Sequence, residues 1–152
     1  IAEKLKGKTP CIYANGVMTP VAYRWRCQIE ENAKQLAFHH EIPEMNHNEI
    51  VGWGENPTDF AVVLIRDNQE TEIVGRRFNA TKKIAWESRI KSNLAWNIEV
   101  VEVLAEGKSL LARMMSCVLL GDLVSLKLAE MNDVEATPVT VIENLKTVLD
   151  GK

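Results

Sequence analysis

Short apolar runs alternate along the chain with longer stretches in which apolar residues recur every third or fourth position. Compact runs fit strands and the longer periodic stretches fit helices, so the alternation predicts an α/β domain built on a parallel sheet. Pro10-Cys11-Ile12-Tyr13-Ala14 reads as a first strand closed by Asn15-Gly16. Thr19 before Pro20 reads as an N-cap with proline at the first helical position. The helix it opens runs to about Gln35, with Val21, Trp25, Ile29 and Ala33 on one face. Residues 36–42 form a second strand stopped by Pro43. Asn46-His47-Asn48-Glu49 offers a capping-box-like start for a short helix, which Gly52-Trp53-Gly54 ends.

Residues 60–65 are apolar without interruption, the pattern of a central strand buried on both faces. A polar-rich helix over about 70–94 follows, then a fourth strand over 98–104 whose Glu99 and Glu102 point to an edge or a strand end. The longest helix spans about 108–131 and is apolar nearly all round at 117–120, which predicts burial there. Thr137-Pro138 opens a last helix to about Leu149, with Val141, Leu145 and Leu149 on one face. Repeats and low-complexity segments are missing and the connections are short, so the pattern predicts one domain over residues 1–152.

Composition narrows the function classes. In 152 residues, 18 Lys and Arg face 21 Asp and Glu, a net charge of -3. A mildly acidic chain without a basic run argues against nucleic acid and against a charged membrane surface as partners. The longest apolar runs fall far short of the roughly 20 residues a bilayer span needs. Cys11, Cys27 and Cys117 are an odd, scattered set without a CxxC pair, which points to a reducing cytoplasm rather than a disulfide or zinc scaffold. A helical segment at residues 1–6 starts on Ile1 with no preamble, as expected of a piece of a longer polypeptide.

Candidate chemistry gathers in few places. His39, His40 and His47 fall with several carboxylates between residues 37 and 49, a set that invites a metal. His39 and His40 are adjacent on a strand, so their side chains leave on opposite faces and cannot chelate one ion; both read as polar residues at a strand end. No metal site is expected. His47 follows a strand's C-terminal end, where open parallel sheets place ligands, and occupies a helix's first turn. It reads either as a surface cap or as an acid–base group. Glu30 and Glu31 flank the apolar stripe of the first long helix, and one of them can lean towards the core. A partly buried carboxylate there would serve as a general base; a fully solvated one would be an ordinary helix face. Asn15-Gly16 could admit a ligand, but it carries neither a GxGxxG pattern nor a P-loop lysine. Arg24 and Arg26 read as a rim, Cys11 and Cys117 as core fillers.

Tyr23-Arg24-Trp25-Arg26-Cys27-Gln28-Ile29-Glu30-Glu31-Asn32-Ala33-Lys34 and Pro43-Glu44-Met45-Asn46-His47-Asn48-Glu49-Ile50-Val51-Gly52-Trp53 together resemble the bifunctional phosphoglucose/phosphomannose isomerase family. Leu120-Gly121-Asp122-Leu123-Val124-Ser125, Pro138-Val139 and Leu145-Lys146 extend the resemblance over essentially the whole chain. Members of that family carry two sugar isomerase (SIS) domains in tandem, and this chain resembles the second. The resemblance implies a three-layer α/β SIS fold with a parallel sheet of four or five strands. It implies aldose–ketose isomerisation of glucose 6-phosphate or mannose 6-phosphate with fructose 6-phosphate, through ring opening and a cis-enediolate, with no cofactor. Glu31 matches the family's general base. His47 matches the ring-opening residue, contributed across a homodimer to the neighbouring subunit's site. Lys146 matches the lysine that assists ring opening, and Thr137 or Thr140 the threonine that shapes sugar acceptance. The phosphate-binding hydroxyls and an enediolate-stabilising arginine belong to the family's first SIS domain, absent from this chain, so the fragment alone is expected to be inactive. A non-catalytic SIS module that senses sugar phosphates or mediates dimerisation, and a metal-dependent hydrolase using the histidine-rich segment, are the competing expectations.

Overall fold

The computed structural model describes residues 1–53, 59–87 and 98–151. Its sheet has four parallel strands: β1 (Thr9–Ala14), β2 (Phe38–Glu41), β3 (Phe60–Arg66) and β4 (Glu99–Leu104), in the order β2-β1-β3-β4. The predicted central strand is β3, buried from Ala61 to Ile65 between β1 and β4. Of the two readings of the fourth strand's glutamates, an edge is the one that holds: β4 closes one side of the sheet, and its Glu102 meets Arg66 at 3.0 Å and Lys82 at 2.5 Å.

Alternate residues of β1, β3 and β4 feed two cores, as the period of two requires. Ile12, Ala14, Val63, Ile65, Val101 and Val103 pack beneath α1 (Ala2–Leu5), α2 (Thr19–Ala33) and α5 (Leu110–Met131). Cys11, Tyr13, Val62 and Leu64 pack on the other face. There they meet Trp53, Phe78 and Trp86, from the segments around α3 (Glu49–Gly52), α4 (Glu72–Thr81) and the π-helical turn Lys82–Glu87. These are the three layers the sequence predicts.

The α2–α5 contact is the tightest. Trp25 is wholly buried and its indole Nε1 donates to the Cys117 carbonyl at 2.8 Å. Gly121 admits the ring: a Cβ there would stand 2.4 Å from Trp25 Nε1. Behind β3, the buried Arg113 donates from Nε to Asp67 Oδ1 at 2.6 Å and from Nη2 to Oδ2 at 3.2 Å, a bidentate pair that ties α5 to the sheet.

Several element ends differ from expectation. Thr19 is not the cap of α2: a 3₁₀ turn at Gly16–Met18 runs straight into the helix and makes Met18 the N-cap. The helix stops at Ala33 because Lys34 turns left-handed (φ 54°), with its Nζ donating to the carbonyls of Glu31 (2.7 Å) and Ala136 (3.2 Å). Leu36 is therefore exposed, and β2 begins only where Phe38 pairs with Cys11. The expected capping box does not form. Asn46 donates instead to Thr81 Oγ1 at 2.9 Å, and the Glu49 carboxylate turns towards β1 and β2. The predicted helix over 70–94 starts at Glu72, capped by Thr71, and becomes π-helical from Lys82; residues 88–94, like Gly54, lie outside the described residues. The last helix, α6 (Thr140–Leu149), starts three residues after the Thr137 expected to open it, because Pro138 stays outside.

One burial expectation holds only in part. In residues 117–120 of α5, Cys117 is buried and Val118 and Leu120 pack against the core, but Leu119 is 60% exposed. Leu111, Met115, Leu119, Leu123 and Leu126 form an exposed apolar stripe at helical spacing. Every residue of α6 is exposed as well, including Val141, Leu145, Val148 and Leu149.

Candidate functional site

Glu31 stands at the C-terminal end of α2, which starts beside the C-terminal edge of the sheet and runs back towards its N-terminal edge. Its carboxylate is exposed, because Ile29 and Ala33 take the core-facing positions. Glu30 is the half-buried one, paired with Arg26 Nε at 3.5 Å. The partial burial expected of Glu31 is thus not supplied by the described residues.

Glu31 does line a cavity. A groove of about 790 Å³ lies between the end of α2 and the start of α6, walled by Glu30, Glu31, Lys34 and Gln35 on one side. Pro138, Val139, Thr140 and Ile142 wall it on the other. Thr140 therefore shares a groove with Glu31, while Thr137 is exposed and outside its wall. Lys146 sits further along α6, roughly 9 Å of helix beyond Thr140, exposed and outside the wall.

His47 is elsewhere. It follows the 3₁₀ turn Glu44–Asn46 beyond the C-terminal end of β2, and its backbone N–H donates to the Glu44 carbonyl at 2.9 Å. From the start of α2 at that edge, Glu31 is roughly 18 Å away along the helix axis. Within one chain the two residues stand at opposite edges of the sheet.

The histidine-rich segment resolves into distinct environments. His39 faces α2, with its ring edge on Tyr23 at a centroid distance of 5.2 Å. Burial, then the charges of Arg26 and His40, push its pKa below the usual histidine value. His40 faces the opposite side of the sheet and is not merely a strand-end polar residue: its Nδ1 lies 2.6 Å from Glu49 Oε2. Among the described residues no group of three or more His, Cys, Asp and Glu side chains could hold a metal ion. No helix among them is long and apolar enough to cross a membrane.

Glu49 is the residue that the pattern of the sequence hid. Its carboxylate accepts from the buried Tyr13 hydroxyl of β1 and from Trp53 Nε1 at 3.4 Å, and pairs with His40 of β2. Trp53 Nε1 also donates to the Tyr13 oxygen at 3.0 Å. A second cavity, about 460 Å³, opens beside this network and includes Cys11, Phe38, Trp53 and Phe60 in its wall. Burial, reinforced by the Glu49 charge, pushes the Cys11 thiol up to about 12, and burial likewise raises the Tyr13 phenol. Both stay protonated near neutrality. Only the spacing of Glu49 from the cap position was visible in the sequence, and it favoured a capping role.

Comparison with known proteins places this geometry. Residues 1–149 match the family described as "Bacterial phospho-glucose isomerase C-terminal SIS domain". A bifunctional phosphoglucose/phosphomannose isomerase of Aquifex aeolicus is 35% identical over 152 residues, covering 98% of this chain and 45% of the relative. Another of the same description, from Caldicellulosiruptor bescii, is 38% identical over 151 residues, covering 96% and 42%. The crystal structure of a glucose-6-phosphate isomerase-like protein from Thermus thermophilus superposes with a TM-score of 0.71 at 23% identity, over 97% of this chain and 45% of that one. The chain thus spans less than half the length of these relatives. It belongs to the family of bacterial phosphoglucose isomerase C-terminal SIS domains.

Proposed function

We propose that this chain is the C-terminal half of a sugar-phosphate isomerase that interconverts glucose 6-phosphate or mannose 6-phosphate with fructose 6-phosphate. The observation that carries the reading is the groove lined by both Glu31 and Thr140 on a domain of this family. Glu31 moves the proton between C1 and C2 as general base, through a cis-enediolate. Thr140 rather than Thr137 meets the sugar, since it shares the groove. His47 opens the ring as acid–base catalyst, with Lys146 assisting from α6. Steps of this type contribute about 10²–10⁴-fold each when the group's pKa lies near the working pH.

The separation of Glu31 from His47 supports a site shared between subunits, with each histidine reaching the neighbour's groove. Exposed apolar surface supports further covering. The exposed apolar residues of the α5 stripe and of α6 suit an N-terminal SIS domain and a second subunit as their covering. That covering would also enclose Glu31. The cytoplasm, where sugar phosphates are held, is the compartment this reading requires.

Complementation tests it. In the intact protein, Glu31→Gln and His47→Ala should each abolish isomerisation. Unfolding and refolding the two variants together at equal amounts should restore about a quarter of wild-type activity, because half the dimers are mixed and each has one intact site. No recovery would remove the shared site. Fructose 6-phosphate binding without turnover in the intact wild-type protein would instead mark a sensing module.

A further inference from the structure

The loop that presents His47 is fastened at three points, and the strongest lies two residues beyond the histidine. Ile42 and Met45 are fully buried, and Asn46 donates to Thr81. Glu49 then gathers partners from three parts of the fold: the Tyr13 hydroxyl of β1, Nδ1 of His40 on β2, and Nε1 of Trp53 at the end of α3. Trp53 closes the circuit through the Tyr13 oxygen. His47, by contrast, is exposed, so its location is decided by its neighbours' anchors.

We infer that Glu49, held by Tyr13, His40 and Trp53, is a positioning residue that fixes the His47 imidazole for ring opening. The inference rests on the ring-opening role proposed above for His47. A carboxylate serves here because one group must accept from a phenol and an indole on one oxygen and meet an imidazole on the other. The buried Tyr13 makes the anchor stiff: its ring stacks on Trp86 at 5.6 Å, and Trp86 meets Trp53 edge-on at 5.7 Å. Removing the carboxylate takes away the polar anchor between them and leaves the His47 turn held by Ile42, Met45 and Asn46 on one side and α3 by Trp53 on the other. A shift of about 1 Å at a catalytic group can cost about a hundredfold in rate.

The test isolates ring opening from proton transfer. In the intact protein carrying Glu31→Gln, interconversion of the two anomers of glucose 6-phosphate is followed by exchange NMR, and the Kd for fructose 6-phosphate by calorimetry. Adding Glu49→Ala should slow anomer exchange at least about tenfold while leaving the Kd within about twofold. Glu49→Gln, whose amide oxygen still accepts from Tyr13 and Trp53, should restore most of the rate. Tyr13→Phe, a gentler change should Glu49→Ala fail to fold, should slow exchange in the same direction. Unchanged exchange in folded Glu49→Ala or Tyr13→Phe overturns the inference. So does a loss of exchange matched by an equal loss of sugar-phosphate affinity, which marks general damage. If His47→Ala in the same background leaves exchange intact, the ring-opening reading itself falls, and this inference with it.

Discussion

Replacing Gly121 with alanine adds one methyl group where α5 crosses α2. The new Cβ would sit 2.4, 2.5 and 2.7 Å from Nε1, Cδ1 and Cε2 of Trp25, against the 3.5–4.0 Å at which such atoms attract, so about 1 Å of clearance is missing. The indole cannot swing into solvent, because Trp25 is wholly buried. Either the helices part or the ring turns, and both break the bond from Nε1 to the Cys117 carbonyl at 2.8 Å. Overpacking costs about 1–3 kcal/mol. A buried group left unpaired adds about 1–3 kcal/mol. Alanine returns about 1 kcal/mol of helix propensity over glycine. The net loss is about 3 kcal/mol. For a chain of this size each kcal/mol moves the melting temperature by about 2–4 °C, so Gly121→Ala should melt roughly 6–12 °C lower. Thermal and urea unfolding of the two proteins side by side measures it. Gly52→Ala, where a Cβ meets nothing within 4 Å, is the control and should stay within about 1 kcal/mol of wild type. A Gly121→Ala protein as stable as the parent would refute the account of how α2 and α5 close.

Further outcomes are expected. Arg113→Ala and Asp67→Ala should each cost about 3–5 kcal/mol by stranding the partner, whereas the double replacement Arg113→Met/Asp67→Ala should cost less than the sum; urea titrations decide it. His39 has a folded pKa below its unfolded value, so its contribution is fully present above about pH 6.5 and is lost as pH falls through the lowered folded value. The acid limb of stability should therefore be shallower in His39→Gln. Cys27, half-buried on α2, should react with a thiol reagent at pH 8 well before Cys11, whose thiol is pushed up to about 12; equal rates would contradict the packing around Tyr13.

Much of the architecture was legible because it depends on local periodicity. The run from Phe60 to Ile65 read best as a strand covered on both faces, and the four-residue spacing of Val21, Trp25, Ile29 and Ala33 as one buried helix stripe, and both formed. Element ends were less legible, since they are chosen by competition. Glu49 had a local option as a capping residue and a distant one with Tyr13, His40 and Trp53, and the distant set won with several partners against one backbone amide. Lys34 ended α2 through carbonyl contacts, one of them from Ala136 far along the chain, that no window of sequence contains.

For function the division is similar. The residue types and spacing of the Glu31 and His47 segments carried the family resemblance, and the match over residues 1–149 established it. Tertiary structure decided what those residues can reach. A parallel sheet sends each helix back across its face, so Glu31 at the end of α2 and His47 beyond the end of β2 fall on opposite edges although only 16 positions separate their numbers. The same folding put Thr140 in the wall of the groove that Glu31 lines and left Thr137 outside it. The sequence by itself determined which chemical groups this domain owns. Distance and burial are set by how the layers close, and they decided which of those groups share a groove and which stand apart.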